Sequence, residues 1–280
     1  MFAKTLLRDA KISTKFNLLL VSVLIFGTVL SGIALATILQ QRAQTEVATQ
    51  ATILMQTMNS VRDYTQERVN PLLAKRLETE SSFTPEAIPN FSVREVFEKF
   101  RSTPQFDQFF YKDASLNPTN RRDLADDFEA TLLQRFQNDT NLKELSGFHT
   151  AFEGKVFYIA RPLTITNQNC LQCHSDPKLA PKSQIATYGD KNGFGWKLNQ
   201  IIAAQIVLVP ADAVLAQMYR SLFILLGVLF GILSLMFLFI NFLLKKVIIQ
   251  RIRRIAKTAN AISTGDLNIN FEEPSKDVIG

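Results

Sequence analysis

Two long uncharged apolar runs constrain this chain of 280 residues more than any other feature. The first covers residues 16–39 and the second residues 221–244, and neither contains an Asp, Glu, Lys or Arg. At ~1.5 Å per residue, a helix of this length covers roughly 36 Å, more than the ~30 Å hydrocarbon core of a bilayer. The two runs therefore predict two transmembrane helices.

A cleaved signal peptide is the alternative interpretation of the first run. Ala34-Leu35-Ala36 fits the small-x-small pattern of a cleavage site. The apolar core of a signal peptide has about 7 to 15 residues, whereas this run continues through Ile38 and Leu39 beyond the matching site. Its length favours an uncleaved membrane anchor.

The net charge of the chain lies at its two ends. Residues 1–15 contain four basic residues and one acidic residue, and residues 243–280 contain seven and four, so the ends account for the whole formal charge of +6. Because Lys and Arg near a span tend to stay in the cytoplasm, we expect both ends there and the segment between the spans outside. That segment is neutral, so a nucleic-acid-binding role loses its only support, because the basic pI comes from the membrane flanks rather than from a binding face.

The segment between the spans predicts an α+β domain, with helices first and a sheet later. Apolar residues three and four positions apart predict helices from Gln40 to about Leu77 and from Arg122 to Phe136. A capping-box pattern at Ser92–Glu95 predicts another helix start. Alternation between Phe148 and Leu163, and a β-branched run from Ile201 to Val209, predict strands.

Residues 170–174 read Cys-Leu-Gln-Cys-His, the C-x-x-C-H pattern of c-type haem attachment. Two thiols three positions apart can each form a thioether with one vinyl group of a single haem, and the next imidazole then reaches the iron. Cys170 and Cys173 are therefore the candidates for covalent attachment of one haem c, and His174 for an axial ligand. Such attachment takes place outside the cytoplasm, so we expect a bacterial inner (plasma) membrane protein with a periplasmic, extracytoplasmic domain.

A disulfide, a thiol–disulfide switch and a zinc site are the alternative uses of the two cysteines. A closed zinc site needs further soft ligands, but the chain has no third cysteine and one other histidine, His149. The position of His174 directly after Cys173 favours the haem.

From Phe110 to Val209 the chain resembles a family of PAS-like c-type haem sensor domains found in cyanobacteria and other bacteria. The resemblance implies a PAS-like antiparallel sheet with flanking helices, and it implies the haem roles of the three motif residues. The residues that carry it are Tyr111, Asn117-Pro118-Thr119-Asn120, Ala160-Arg161-Pro162-Leu163, Cys170 to Pro177, Ala180-Pro181, Tyr188-Gly189, Gly193-Phe194-Gly195-Trp196 and Val209-Pro210, with Arg62, Tyr64 and Pro71 on the first helix.

The resemblance leaves the second axial iron ligand open. Some members of the family look as though they supply a cysteine from the helix before the sheet, and this chain has no third cysteine. Met58 and Met55 on the first predicted helix, and His149, are the candidates, and an open or water-filled position is the alternative. The methionines can equally be packed residues, and His149 a strand-edge residue.

Cationic side chains are the best partners for the two haem propionates. Arg161 and Arg62 are the candidates for this role, with Tyr188 as a weaker partner. Each arginine can equally belong to an ion pair within the domain.

The tail after the second run resembles a partial HAMP domain. Ile252, Ile255, Ala259 and Ile262 form a heptad-like seam, followed by Gly265-Asp266-Leu267 and then by Asp277-Val278-Ile279-Gly280. The tail departs from the family because valine replaces glutamate at residue 278, no proline begins the first helix, and the sequence ends where a second helix would begin. HAMP units are parallel dimers, so the resemblance implies a homodimer. A basic amphipathic helix on the membrane surface is the alternative.

These features predict a membrane-bound haem c sensor, of redox state or of a diatomic gas, for transmembrane signal transduction. The output is expected from a cytoplasmic partner in trans or from an output domain missing from this sequence. Because residues 243–280 contain no kinase, cyclase or phosphate-loop pattern, the chain is not expected to be an enzyme. A membrane-anchored monohaem electron-transfer cytochrome is the alternative. The predicted segments are a cytoplasmic N-terminus (1–15), a first span (16–39), the haem domain (40–220), a second span (221–244) and the partial HAMP segment (245–280).

Overall fold

The computed structural model describes residues 12–151 and 154–264. They divide into two compact units: residues 40–218, and the described parts of residues 1–39 and 219–280. The predicted HAMP connector and second helix start, which begin at Gly265, lie outside the described residues, as do the basic residues Lys4, Arg8 and Lys11.

The described residues contain eight α-helices and four strands. The helices are α1 (Ile12–Tyr64), α2 (Asn70–Thr79), α3 (Pro89–Arg101), α4 (Asp127–Asn138), α5 (Cys170–His174), α6 (Lys182–Tyr188), α7 (Asp212–Leu243) and α8 (Gln250–Ser263). The strands are β1 (Phe110–Ala114), β2 (Leu145–Ala151), β3 (Gly154–Thr164) and β4 (Ile201–Pro210).

Helices α1 and α7 carry the two apolar runs. The most apolar 18-residue window has a mean hydropathy of 2.5 in α1 and 2.9 in α7, and no part of either window is buried inside the protein. By length and composition, both helices are able to cross a membrane. The helix predicted from Gln40 to about Leu77 is confirmed, and a π-helical turn at Thr65–Val69 joins α1 to α2 within it.

The four strands form one antiparallel sheet in the order β1-β4-β3-β2. The central strand β4 pairs Val207 with Tyr111 of β1 on one side and with Ile159 of β3 on the other. Strands β2 and β3 form a hairpin, so the region predicted as strand between Phe148 and Leu163 is two strands. The predicted α+β class is confirmed, whereas β1 was not predicted.

The main core lies between α1, α3 and one face of the sheet. Met55 and Met58 of α1 are 0% and 2% exposed there. Alternate residues of a strand point to the same face, so odd-numbered residues of β1, β3 and β4 supply the sheet side of this core. The buried members are Val47, Ala51, Leu54, Met55, Met58, Val93, Phe97, Tyr111, Phe157, Ile159, Val207, Val209 and Ala211.

A second core lies on the other face of the sheet, beneath α4. Leu132, Leu133 and Phe136 of α4 are buried there against the even-numbered residues Ala160 and Ile206 of the sheet. Both faces of the sheet are therefore covered, which explains why β4 is almost entirely buried.

Helix α3 begins earlier than the sequence predicted. Its first residue is Pro89, preceded by Ile88 in an extended conformation, and Ser92 lies inside the first turns. Proline fits the first helical position because its φ is already helical and the missing N–H would have no partner there. The predicted capping box at Ser92 is wrong for this reason.

Helix α4 begins later than Arg122. Residues Arg121–Asp123 form a separate 3₁₀ turn, and the helix is capped by Asp126. The Glu129 N–H donates to the Asp126 carboxylate at 2.8 Å, while the Asp126 N–H donates to Glu129 at 2.9 Å. This reciprocal capping box fixes the start of the helix, because it satisfies two N–H groups that the first turn leaves without partners.

Candidate functional site

The Cys-x-x-Cys-His motif forms the single-turn helix α5 between β3 and β4. Cys170, Leu171 and Trp196 pack against a small apolar cluster formed by Ile165, Ile202 and Ala203. Cys170, Cys173 and His174 are all partly exposed. Since positions three and four apart share one side of a helix, the two thiols and the imidazole are presented together.

The imidazole of His174 is oriented by a backbone carbonyl. Its Nδ1 lies 2.8 Å from the carbonyl oxygen of Gly193. A carbonyl only accepts, so Nδ1 carries the proton and donates, which leaves the lone pair of Nε2 available for a metal. Burial lowers the pKa of His174, with the bond to Gly193 opposing the shift, and a neutral imidazole is the form that binds metals.

Two further contacts fix the plane of this ring. The indole of Trp196 stacks on it with ring centroids 4.0 Å apart and an angle of 15° between the planes. The hydroxyl oxygen of Thr119 lies 3.4 Å from Nδ1. The backbone N–H of Trp196 also donates to the carbonyl of His174 at 3.1 Å, so the Trp196 segment holds both the ring and the backbone of His174.

The loop that supplies the Gly193 carbonyl is held by Asn117. The N–H of Gly193 donates to Asn117 Oδ1 at 3.0 Å, and Asn117 Nδ2 donates to the carbonyl of Phe194 at 3.1 Å. Gly193 has a φ of +79°, and a Cβ there would lie 2.0 Å from Thr119 Oγ1. Glycine is therefore required at this position by both its conformation and its close neighbour.

Helix α6 supports the motif from the other side. The buried side chain of Gln184 donates from Nε2 to the carbonyl of Cys173 at 2.9 Å. Ser183 of the same helix donates to the Leu77 carbonyl of α2 at 3.4 Å. Tyr188, a predicted propionate partner, ends this helix with its ring edge-on to Phe83, at a centroid distance of 5.4 Å.

Arg62, another predicted propionate partner, is part of a buried polar network. Its guanidinium donates to Asp113 at 2.7 Å, to the Tyr111 hydroxyl at 2.8 Å and to Asn90. The side chains of Arg62 and Asp113 are 12% and 6% exposed. Burial opposes the charge of Arg62, but attraction to Asp113 and Tyr111 prevails and raises its pKa. Burial, followed by the charge of Asp113, raises the pKa of Tyr111 as well.

Arg161, the remaining predicted propionate partner, lies on β3 in a more exposed pair. Its Nε and guanidinium nitrogens are 3.0 Å from a carboxylate oxygen of Glu144. Arg161 therefore has a partner that water can replace, unlike Arg62.

The candidates for the second axial ligand lie apart from one another. Met55 and Met58 are buried in the core on the α1 face of the sheet. His149 lies beside α4, where its ring stacks on Phe128 at 3.9 Å, and it borders a shallow groove with Ile206.

The set of donors at α5 fits a haem better than a zinc ion. In the part of the chain that the structure describes, no three His, Cys, Asp or Glu side chains converge as a metal site. A c-type haem would need two thiols for its thioether bonds and one imidazole nitrogen for its iron on the same side of the chain, and this helix provides them. Burial raises the pKa of the Cys170 thiol.

The residues that orient His174 could be named from the sequence, but no function could be assigned to them. Asn117, Thr119, Gly193 and Trp196 belong to the segments that carry the family resemblance. Thr119, Gly193 and Trp196 contact His174 across separations of some 20 to 55 residues, so no local pattern identifies them. The clustered glycines around Phe194 are the one available signal, since they indicate a tight loop.

The fold and site define a class: an α+β domain that presents two thiols and a metal-ready imidazole on a short helix between two strands. Residues 40–210 match the model of the Tll0287-like family, and the chain belongs to this family. No match is found among curated proteins.

One solved structure that resembles this chain is the "Crystal structure of the cyanobacterial heme-protein Tll0287". The two chains are 17% identical, and the TM-score is 0.41. The match covers 59% of this chain and 95% of the other.

Proposed function

We propose that this chain is a membrane-bound haem c sensor, with one haem joined to Cys170 and Cys173 and with His174 as an axial ligand. The observation that carries the proposal is the bond from His174 Nδ1 to the Gly193 carbonyl, because it frees Nε2 on the helix that bears both thiols. Membership of the Tll0287-like family supports the cofactor, since the solved protein named Tll0287 is a haem protein. When bound, the haem would supply an iron able to change oxidation state or to bind a diatomic gas.

Arg161 is the better of the two arginines for holding a propionate. Its partner Glu144 is on the surface, so the guanidinium can exchange that carboxylate for another at little cost. Arg62 is buried against Asp113, and withdrawing it would leave an unpaired buried carboxylate. Tyr188 remains a weaker candidate for the same role.

The second axial position is proposed to be open to water or to a diatomic ligand. Met55 and Met58 are enclosed by other core side chains, so bringing either to an iron would require opening the main core. His149 is engaged with Phe128 beside α4. An open position favours gas sensing over simple electron transfer.

The proposed location is a bacterial inner membrane, with residues 40–220 on the periplasmic side. The two apolar helices and their basic flanks support this arrangement. A homodimer is proposed because Ile252 and Ile255 of α8 are 53% and 69% exposed along the seam expected of a partial HAMP helix. Signalling would then pass to a cytoplasmic partner or output domain, and the chain itself is proposed to have no enzymatic activity.

A pyridine haemochrome spectrum of the purified full chain tests the cofactor. The wild type is expected to give one c-type haem per chain, and Cys170→Ser or Cys173→Ser is expected to shift the band towards that of a haem with one thioether. His174→Gln should alter iron ligation, while His149→Gln serves as the matched control and should not. A colourless wild-type chain would overturn the proposal.

Carbon monoxide binding separates the sensor from the electron-transfer cytochrome. An open position predicts that the reduced protein binds CO stably and that Met58→Leu leaves the spectrum unchanged. A six-coordinate iron that does not bind CO and that exchanges electrons rapidly with mediators would support the electron-transfer cytochrome instead. A spectrum altered by Met58→Leu would identify that methionine as the ligand.

A further inference from the structure

We infer that Asn117 is a positioning residue for His174, acting through the carbonyl of Gly193, and that it thereby sets how readily the bound iron is reduced. The inference rests on the proposed function, because it concerns the axial ligand of that haem. Asn117 does not itself contact the imidazole among its described hydrogen bonds; its two side-chain bonds go to the loop opposite.

The two bonds of Asn117 enclose the peptide group that carries the Gly193 carbonyl. The N–H of Gly193 binds on one side of that group at 3.0 Å, and the carbonyl of Phe194 binds on the other side at 3.1 Å. A peptide group is planar, so fixing the chain at both flanks fixes the direction of the carbonyl between them. That carbonyl is the one that accepts from His174 Nδ1 at 2.8 Å.

Asn117 is in turn anchored to the central strand of the sheet. Its backbone N–H donates to Ser115 Oγ at 3.3 Å, and the buried Ser115 hydroxyl donates to the Ile202 carbonyl of β4 at 2.7 Å. Pro118 follows directly and restricts the backbone of both residues. A series of hydrogen bonds through Ser115, Asn117 and Gly193 therefore fixes the orientation of His174 relative to the sheet.

The strength of the bond at Nδ1 has a chemical consequence at Nε2. A proton donated to a carbonyl makes the imidazole a stronger electron donor, which stabilises oxidised iron relative to reduced iron. If the Gly193 carbonyl turned away, the remaining partner would be the Thr119 hydroxyl at 3.4 Å, a longer and weaker contact. Loss of Asn117 should therefore favour the reduced state.

The test compares Asn117→Ala with Asn120→Ala in the full chain purified in detergent. Asn120 is a matched control because it lies in the same turn and its Oδ1 accepts from the Arg122 N–H at 3.1 Å, away from the 193–194 loop. Three quantities are measured: haem content by pyridine haemochrome, the iron–histidine stretching band of the reduced protein by resonance Raman, and the midpoint potential by redox titration.

Asn117→Ala is expected to keep its haem, to lower the frequency of the iron–histidine band, and to raise the ratio of reduced to oxidised iron about tenfold at a fixed potential. That ratio corresponds to about 59 mV for one electron. Asn120→Ala should stay within about twofold of the wild type. Asn117→Asp keeps the acceptor for Gly193 but not the donor to Phe194, so its band and midpoint should fall between those of the wild type and Asn117→Ala.

The outcomes distinguish this inference from the proposed function. Asn117→Ala with a full haem content and a wild-type band and midpoint would overturn the inference and leave the proposed function standing. A wild-type chain without haem would remove the proposed function itself. If Asn117→Ala fails to fold, Asn117→Asp decides, and a wild-type band in that variant would overturn the inference.

Discussion

The main core and the segment that carries the motif are built in different ways. In the main core, large side chains such as Met55 and Phe97 are almost wholly buried, and the charged pair Arg62–Asp113 is buried with them. In the segment from residue 165 to 200, the cysteines, His174 and Trp196 stay partly exposed, and hydrogen bonds to backbone groups hold the segment together with one small apolar cluster.

The main core therefore supplies most of the stability of the fold, whereas the motif segment orients the groups that could carry the chemistry. Apolar burial stabilises a fold in proportion to the area removed from water, and it has no directional preference. Hydrogen bonds are directional, so they can orient an imidazole whose ring must stay accessible. We therefore expect substitutions in the core to change global stability, and substitutions around the motif to change the local geometry of His174.

The largest expected effect is on the core side, at the buried ion pair. Arg62→Met should lower the free energy of unfolding by about 3–5 kcal/mol, because it leaves the Asp113 carboxylate buried without its cation. Hydrogen exchange of the β4 amides in the detergent-solubilised full chain measures the change, since these amides open only when the sheet does.

Two variants control this experiment. Arg76→Met removes an exposed pair with Glu80 and should leave the exchange of β4 unchanged. Arg62→Met combined with Asp113→Leu should recover most of the loss, because an apolar pair replaces the unpaired charge. Equal exchange in the wild type and in Arg62→Met would show that the pair contributes nothing to the core.

An intermediate effect is expected at two glycines of the motif segment. Gly193 and Gly189 have φ values of +79° and +80°, but only the added Cβ at Gly193 meets a neighbour, Thr119. Both substitutions to alanine should cost about 1–3 kcal/mol of backbone strain. Gly193→Ala should in addition push the loop away from His174, whereas Gly189→Ala should not.

Fluorescence of Trp196, the single tryptophan of the chain, and local hydrogen exchange around residues 174–196 distinguish the two variants. Greater exposure of Trp196 is expected in Gly193→Ala alone. The same change in both variants would mean that backbone strain, rather than the close approach of Thr119, holds this loop.

The smallest expected effect depends on pH and concerns Asp123. Burial, followed by the negative charge of Asp113, raises the pKa of Asp123 to about 6. The folded protein then binds more protons than the unfolded chain between about pH 4 and pH 6, so the contribution of Asp123 to stability falls as the pH rises through this window. At pH 7, Asp123→Asn should stabilise the domain by about 1–2 kcal/mol, a figure reduced for the partial exposure of the carboxyl.

Denaturation midpoints of the wild type and Asp123→Asn at pH 4 and pH 7 test this sign. The two proteins should be alike at pH 4 and should differ at pH 7. Asp107→Asn, which changes an exposed aspartate, should have no effect at either pH. A variant that is less stable than the wild type at pH 7 would mean that Asp123 gains more from nearby arginines than it loses by burial.

The helices and the long strands could be predicted because their signals are local. The spacing of apolar residues identified the helix that contains Met55, and the β-branched run identified β4. Strand β1 was missed because Tyr111-Lys112-Asp113 does not alternate between apolar and polar. Its charged residues are neutralised by partners far along the chain, Arg62 and Glu129, which a single segment does not reveal.

The candidate site, too, could be predicted only where its signal is local in the sequence. Cys170, Cys173 and His174 follow from a five-residue pattern with a chemical reason for its spacing. The hydrogen bond from His174 to Gly193, the stacking of Trp196 and the role of Asn117 depend on tertiary contacts, so the sequence could name these residues but not their function.

The strand order also fixes when the sheet can be completed during synthesis. Strand β1 pairs with β4, and the two are separated by more than 80 residues, so β1 has no sheet partner until the ribosome has passed residue 210. Long-range pairing of this kind slows folding. A fragment that stops before residue 201 would contain the β2–β3 hairpin as its whole sheet, and truncation there should yield a chain that is degraded rather than a smaller domain.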